Sequence, residues 1–244
     1  ATVRDGRWFG GEPIWVTAVK QGRTSACSFW VGSEAEIGGV RPTYWRIFDA
    51  KLPFEQRLEE VMGWLALPEE KRPAVILFYL EDTNPAGHYF GPKSAEVTAA
   101  IKLLDERVGA LVARTQATGL PLNYVIVSDH GMAETDGTAQ TKILDDLIDL
   151  STVQVDFDGP IAGLRPKDGD AAALVKKFAG LPSQYHVYRA EDLPARWHML
   201  PGPRVPDVWI VPDPGWRIQQ RSRFLATRDG RLKGDHGYDN AKPD

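Results

Sequence analysis

The sequence contains only one cysteine, Cys27, among its 244 residues, and this scarcity excludes two kinds of site. A single thiol can form neither an intramolecular disulfide nor a cysteine-rich zinc cluster. Cys27 lies in the apolar run of residues 25–30, where no neighbour in sequence would lower its pKa. We therefore expect a buried structural thiol rather than a reactive one.

An excess of positive charge and a long apolar run are also lacking. The 29 Lys and Arg residues against 33 Asp and Glu residues give a net charge of -4, so we expect no nucleic-acid polymer as a partner. No stretch approaches the roughly 18 consecutive apolar residues that a transmembrane helix needs. The chain shows no signal peptide and opens at Ala1 rather than at a methionine, which leaves its compartment open. If phosphate is bound, metal is the expected source of positive charge.

What the sequence does contain is the pattern of a parallel α/β sheet. Two apolar runs, residues 74–79 and 124–127, predict buried strands. Between them, apolar residues recur at helical spacing from a candidate N-cap at Ser94 to a stop at Gly119. Strand, helix and strand in this order favour a mostly parallel sheet flanked by helices, with ligands at the carboxyl ends of the strands.

Shorter elements are predicted on either side of this core. Helices are expected over residues 13–21 and 53–66, and a strand over residues 24–30. After residue 150 the pattern changes to short segments punctuated by proline and glycine: a strand at 153–157, a helix at 170–181 and a strand at 208–211. We therefore predict one domain over residues 1–244 that carries a small α+β insertion over residues 150–230.

Five histidines are present, and three of them, His88, His130 and His236, sit in glycine-bracketed segments beside acidic or amide residues. Neutral imidazole and oxygen ligands that converge from separate loops make a metal site, and glycine lets the backbone pass close to the ion. One such pair would be an ordinary turn, but three favour a metal site. His186 and His198 lack this context, and we predict them to be structural or surface residues.

Three segments around these histidines carry a resemblance. Residues 79–92 are similar to the pattern Tyr-x-Glu-x-Pro-Asp-x-x-Gly-His-x-x-Gly-Pro, and residues 128–132 and 234–240 match a second and a last metal segment. Residues 10–18 and 29–33 fit the same pattern, although Val31 stands where proline is usual. In this order, over nearly the whole chain, they resemble the nucleotide pyrophosphatase/phosphodiesterase family of the alkaline phosphatase superfamily.

The resemblance implies an alkaline phosphatase-like α/β fold with two divalent metal ions, usually zinc. Asp129 and His130 would bind one ion, and Asn84, His88 and His236 would bind the other. In the family a threonine nucleophile attacks phosphorus, one ion activates it, and both stabilise the charge that develops on the phosphate oxygens. The implied partner is a nucleotide or another small phosphodiester, and the implied location is periplasmic or secreted.

Two departures from the family pattern matter. Asn84 stands where the family has aspartate, and its neutral oxygen should bind zinc more weakly. Asp82, two residues away, is the alternative ligand. The family's threonine and first aspartate ligand precede the segment at residues 8–18, and no threonine among the first 50 residues has a similar context. We therefore expect both to lie upstream of Ala1 and this chain alone to be inactive.

Substrate recognition and function leave alternatives open. Tyr79 has a family counterpart that helps form the wall for a nucleotide base, and Tyr44 is a second candidate; core packing is the alternative for each. The predicted function is metal-dependent hydrolysis of nucleotide phosphodiester or pyrophosphate bonds. A lipid-headgroup phosphodiesterase, a phosphonate hydrolase, and a pseudoenzyme that binds nucleotide or metal without turnover are the alternatives.

Overall fold

The computed structural model describes residues 2–227 and 231–242. By its internal contacts the chain divides into two compact units, Ala1–Glu81 with Lys102–Val125, and Asp82–Ile101 with Ile126–Asp244. The helices are α1 (Ile14–Lys20), α2 (Phe54–Leu65), α3 (Thr83–Phe90), α4 (Ala95–Gln116), α5 (Ala171–Lys177) and α6 (Arg221–Thr227). The strands are β1 (Ser25–Ser28), β2 (Tyr44–Trp45), β3 (Val75–Phe78), β4 (Ala133–Glu134), β5 (Thr141–Ile143), β6 (Val153–Phe157), β7 (Ala162–Pro166), β8 (Tyr185–Arg189), β9 (Val208–Pro212), β10 (Arg217–Gln219) and β11 (Gly234–Asp235).

The first unit is built on a parallel three-stranded sheet in the order β2-β1-β3. Alternate residues of β1 face opposite sides of this sheet, as the two-residue period of a strand requires. Cys27 packs with Trp15 of α1, while Ala26 packs with Trp64 of α2. The predicted strands at residues 24–30 and 74–79, and the predicted helices α1 and α2, are thereby confirmed.

Helix α2 buries one charged residue on its apolar face. Arg57 is buried, and its guanidinium lies over the rings of Phe29 and Phe78, 4.5 and 4.7 Å from their centroids. It donates a hydrogen bond to the Tyr79 carbonyl and pairs with the Glu81 carboxylate at 3.2 Å. Arg57 therefore fixes the backbone where β3 ends.

Helix α4 begins and ends as predicted. The Ser94 hydroxyl accepts a hydrogen bond from the Val97 N–H at 3.1 Å, and Gly119 adopts a φ of +73° three residues after the helix. The apolar face of α4 is only partly covered, and Ile101 is exposed.

The predicted buried strand at residues 124–127 is wrong for this structure. The segment is irregular, and Val125, Ile126 and Val127 are 85%, 74% and 66% exposed. A strand exists only through hydrogen bonds to a neighbouring strand, and no strand among the described residues pairs with this one. The apolar run therefore predicted a burial that the described part of the chain does not provide.

The second unit contains an antiparallel four-stranded sheet in the order β6-β7-β9-β8. Leu164 of β7 and Ile210 of β9 pack with Leu174 of α5 in its core. The strands predicted at residues 153–157 and 208–211 are confirmed, and the helix predicted at 170–181 is shortened to α5. Two small pairs, parallel β5–β10 and antiparallel β4–β11, complete the unit. The α+β character agrees with the prediction, whereas the status of residues 150–230 as an insertion stays a prediction.

No helix in the described ranges has both the length and the apolar content that crossing a bilayer demands.

We predict that Cys27 does not react with a thiol reagent such as dithionitrobenzoate in the native protein at pH 8. Its side chain is fully buried, and this burial raises the pKa of the thiol to about 12, so the thiolate is scarcely populated. The same assay in denaturant should release one equivalent of product. A rapid reaction in buffer alone would contradict the buried position.

Candidate metal centre

The first two predicted ligands lie on a helix rather than in a turn. Asn84 and His88 are four residues apart on α3, so their side chains share one face of the helix. The prediction of a glycine-bracketed turn was wrong here, because Pro85 is tolerated in the first helical turn and the chain turns only at Gly91, with a φ of +89°. Asp82, the alternative ligand, precedes α3 and does not share this spacing.

Close backbone contact joins α3 to β11. The Lys233 N–H donates to the His88 carbonyl oxygen at 2.8 Å. A Cβ atom at position 234 would lie 2.4 Å from the Gly87 carbonyl oxygen, and one at position 87 would lie 2.8 Å from Cε of Met132. Gly234 therefore lets the helix approach the strand, while Gly87 leaves room for the Met132 side chain. The approach places His88 beside the segment that carries His236.

Strand pairing brings the third histidine to the same place. In the antiparallel pair β4–β11, Asp235 lies opposite Ala133, so His236 lies beside the loop that carries His130. The rings of His130 and His236 stack with centroids 3.5 Å apart and planes at 12°. The rings of His88 and His236 have centroids 4.9 Å apart. The three histidines thus form one cluster, and their role as ligands stays a prediction.

Two rings of this histidine cluster are oriented by backbone carbonyls. Nδ1 of His88 lies 2.9 Å from the Gly234 carbonyl oxygen, and Nδ1 of His130 lies 2.8 Å from that of Gly131. A protonated Nδ1 donates to such a carbonyl and leaves the lone pair of Nε2 available. This arrangement is typical of histidines that bind metal ions.

Two side-chain oxygens lie in positions that suit a cation. Oδ1 of Asp129 lies 3.7 Å from Nε2 of His130, while two ligands of one tetrahedral zinc stand roughly 3.3 Å apart, given bonds of about 2.0–2.1 Å. Oδ1 of Asn84 is buried and has no hydrogen-bond partner among the described residues. Because buried polar atoms are nearly always partnered, this unpartnered oxygen fits a site for a cation.

Within the described ranges, no group of three or more His, Cys, Asp or Glu side chains is arranged to hold a metal ion. Each predicted site draws only two such ligands from this chain, so the predicted ligand sets stay predictions. His88 and His236 are accompanied by an amide oxygen, and Asp129 and His130 by no third residue. With the two histidines and the unpartnered Asn84 oxygen, these residues would supply two incomplete ligand sets, and their metal-binding role stays a prediction.

The surroundings of His236 favour the neutral imidazole. Burial, followed by the charges that His130 and His88 would carry, lowers its pKa, and Asp235 and Asp129 oppose this effect less strongly. Neutral imidazole is the form that binds metal ions.

Two carboxylates around His236 were not assigned a role from the sequence. Asp235 is buried against Arg217, and Asp239 is partnered by Arg196 and by the Trp197 indole N–H. Partial burial opposes ionisation of Asp239, but hydrogen bonds from Ala241, Trp197 and Arg196 hold its pKa below the usual value. The only available signal was the presence of an aspartate on each side of His236 in one motif.

The two predicted substrate-binding tyrosines belong to the first unit. Tyr44 lies on β2, its hydroxyl donates to the Lys71 carbonyl at 3.0 Å, and its ring stacks with that of Trp64, so packing accounts for it. Tyr79 follows β3, is half-buried and donates its N–H to Ser28. Because β1 lies between β2 and β3, the two tyrosines do not stand on neighbouring strands. A base-binding role stays a prediction for both.

The threonines near the front of the chain make structural hydrogen bonds. The hydroxyl of Thr17 donates to Glu12, and that of Thr24 donates to the Arg72 carbonyl. The hydroxyl of Thr43 accepts the Ser25 N–H. His186 pairs with Asp213 at 2.9 Å, and His198 is exposed, as predicted for residues outside the site.

The fold is that of an α/β protein, and three of its histidine rings lie together in one cluster. The chain belongs to the type I phosphodiesterase / nucleotide pyrophosphatase family, which it matches over residues 1–239.

Relatives and solved structures agree with this membership. The chain is 35% identical to the venom phosphodiesterase CdcPDE of Crotalus durissus collilineatus, over 98% of the chain and 30% of the relative. It is 34% identical to human ectonucleotide pyrophosphatase/phosphodiesterase family member 1, over 96% of the chain and 26% of that protein. It therefore spans between a quarter and a third of these relatives.

The fold is that of the ectonucleotide pyrophosphatases/phosphodiesterases. Human family member 5 superposes with a TM-score of 0.84 at 30% identity, over 94% of this chain and 60% of the other. Murine family member 5 was solved as an inactive threonine-to-alanine variant in complex with AMP. It superposes with a TM-score of 0.82 at 29% identity, over 94% of this chain and 60% of the other. The predicted alkaline phosphatase-like α/β class is confirmed.

We predict that Gly234→Ala separates α3 from β11. The added methyl would meet a backbone oxygen, which cannot move without shifting the helix, so the free energy of unfolding should fall by about 1–3 kcal/mol. Gly109→Ala is the matched control, because a Cβ there meets nothing within 4 Å, and it should stabilise α4 by roughly 0.5–1 kcal/mol. Denaturant unfolding measures both, and equal stability of the two variants would contradict the contact.

Proposed function

We propose that the complete protein hydrolyses phosphodiester or pyrophosphate bonds of nucleotides at a two-metal site, with zinc as the metal. The observation that carries the proposal is the histidine cluster itself. His88, His130 and His236 converge, and two of them turn Nδ1 toward a backbone carbonyl so that Nε2 is available. The unpartnered, buried Oδ1 of Asn84 supports the same proposal.

Five residues of this chain would hold the two ions. Asn84, His88 and His236 are assigned to one ion, and Asp129 and His130 to the other. When bound, the ions supply the positive charge that stabilises developing negative charge on the phosphate oxygens. The protein's own part is to fix the ligands: carbonyls orient His88 and His130, and burial lowers the pKa of His236.

The attacking group is proposed to be a threonine supplied by residues that precede this stretch in the complete protein. The hydroxyls of Thr17, Thr24 and Thr43 are engaged in structural hydrogen bonds. The inactive murine relative carries a threonine-to-alanine change, which supports a threonine in this role. An aspartate ligand for the ion beside Asp129 and His130 is proposed to come from the same upstream residues.

The proposed substrate is a nucleotide, since AMP is bound by the murine relative. Tyr79 is the candidate for packing against the base, and Arg57 supports it by holding its carbonyl. Tyr44 is the weaker candidate, because its hydroxyl and ring already have partners. We propose a secreted or periplasmic location, in line with the venom and ecto-enzyme relatives.

The second candidate is a pseudoenzyme that binds metal or nucleotide without turnover. Asn84 favours it, because the site loses one negative charge where a divalent cation must be held. The two candidates differ in one outcome: only the enzyme hydrolyses substrate once the upstream residues are supplied.

We expect residues 1–244 alone to show no zinc-dependent hydrolysis of a nitrophenyl nucleotide ester. Without the nucleophile and the upstream ligand, the reacting groups are not held in attack geometry, which forfeits most of the rate advantage. The same chain extended by its natural upstream residues should hydrolyse the ester, and His130→Ala in that extended chain should abolish the activity. Robust turnover by residues 1–244 that is lost in His130→Ala would show that this chain supplies its own nucleophile.

We also expect Asn84→Asp to tighten zinc binding on the order of tenfold or more. Unit charges near 4 Å interact by about 4 kcal/mol at an effective dielectric constant of 20, so a carboxylate adds substantial attraction. Asp82→Asn is the matched control, since Asp82 does not share the helical spacing of Asn84 with His88, and its zinc affinity should stay unchanged. Calorimetric titration measures both. Equal affinities for wild type and Asn84→Asp would remove position 84 from the ligand set.

A further inference from the structure

Two aspartates flank His236 in the sequence, and the carboxylate of each forms an ion pair with an arginine. Asp235 precedes His236, and Asp239 follows it by three residues. The Asp235 side chain is 8% exposed and lies 2.7 Å from Nε of Arg217, which is itself 3% exposed. The Asp239 side chain is also 8% exposed and accepts a hydrogen bond from Arg196. Each carboxylate therefore faces a guanidinium in this arrangement.

Each aspartate also holds backbone or side-chain groups around His236. Oδ1 of Asp235 accepts the His236 N–H at 2.9 Å. Oδ1 of Asp239 accepts the Ala241 N–H at 3.1 Å and the Trp197 indole N–H at 3.2 Å. The loop that carries His236 is therefore held on both sides of the imidazole.

Both arginines come from the α+β part of the second unit. Arg217 lies on β10, beside Ile218 in the core of the four-stranded sheet. Arg196 lies in the short 3-10 turn Ala195–Trp197, and the ring of Trp197 packs edge-on against Tyr188 of β8 at 5.8 Å. The arginines thus join this sheet to the histidine loop.

We propose that Arg217 and Arg196 are positioning residues that act through Asp235 and Asp239 to keep the imidazole of His236 stacked on His130. A buried carboxylate without its arginine is costly, so its side chain moves until it finds another partner. For Asp235 another partner is near, because its Oδ1 lies 4.0 Å from Nδ1 of His88. Loss of Arg217 would therefore disturb two histidines of the cluster.

This positioning matters for activity only if His236 binds metal, so its functional role rests on the proposed function. The positioning itself is a property of the metal-free protein and can be measured there. The two hypotheses can therefore fail separately.

The variants are chosen so that at least two of them fold. Arg196→Gln changes a side chain that is 47% exposed, and Asp239→Asn keeps the shape of the aspartate. Arg217→Lys keeps the buried charge but replaces the planar guanidinium, whose Nε lies 2.7 Å from Asp235, with an ammonium. Arg189→Gln is the control, because Arg189 forms an exposed ion pair with Asp192 at 2.7 Å in the same part of the unit, away from His236.

The first measurement is proton NMR of the histidine ring resonances in the metal-free protein. Stacking at 3.5 Å gives His130 and His236 ring-current shifts. Arg196→Gln, Asp239→Asn and Arg217→Lys should reduce these shifts with circular dichroism unchanged, whereas Arg189→Gln should match wild type and Arg196→Lys should restore them in part. Wild-type ring shifts in folded Arg196→Gln and Asp239→Asn would overturn the proposal.

The second measurement is titration with Co²⁺, whose visible absorption reports its ligands. Arg196→Gln and Asp239→Asn should bind Co²⁺ about 10–100-fold more weakly, as is usual when groups that orient a ligand are removed. His236→Ala is the reference. If His236→Ala binds Co²⁺ as wild type does, the metal role of His236 is wrong, while the ring shifts still decide whether the arginines position it. Wild-type affinity in the arginine variants, with His236→Ala impaired, would overturn the positioning role.

Discussion

The close approach of α3 to β11 is the constraint on which the histidine cluster depends. The strand can come this close to the Gly87 carbonyl only if position 234 carries no side chain, and Gly234 meets that condition. The contact aligns the His88 carbonyl with the Lys233 N–H and the Gly234 carbonyl with the His88 ring. One backbone contact thereby sets both the position and the orientation of a histidine that lies far from His236 in sequence.

In each of the two units, a buried arginine fixes the position of a residue that is distant in sequence. Arg57 fixes the end of β3 in the first unit, and Arg217 fixes Asp235 in the second. Burying a charge is costly, and a buried ion pair is weak evidence for stability, so we interpret these residues through the geometry they impose. In each case the arginine holds a residue within a segment that resembles the family pattern, Tyr79 or Asp235.

Patterns among neighbouring residues predicted much of this fold. The predictions that failed depended on contacts between residues far apart in the sequence. Helix α4 was predicted with its cap at Ser94, because periodicity and capping are properties of adjacent residues. Helix α3 was missed, since glycine and proline argued for a turn and the contact with β11 is invisible in the sequence. Residues 124–127 were predicted as a strand from their apolar character, but a strand also requires a partner. The aspartates beside His236 were missed because their arginine partners lie on distant segments.

The candidate ligands fall into two groups, and different parts of the chain hold each group in place. Asn84, His88 and His236 are held by a helix, a strand end and the buried carboxylate of Asp235. Asp129 and His130 follow the exposed, unpaired segment at residues 124–127, and Asp129 is itself exposed. Among the described residues no strand pairs with that segment, so the position of Asp129 and His130 depends on the stacking of His130 on His236 and on the following strand β4. A strand that paired with residues 124–127 would fix Asp129 from the other side, so the completeness of this group is coupled to the pairing of that strand.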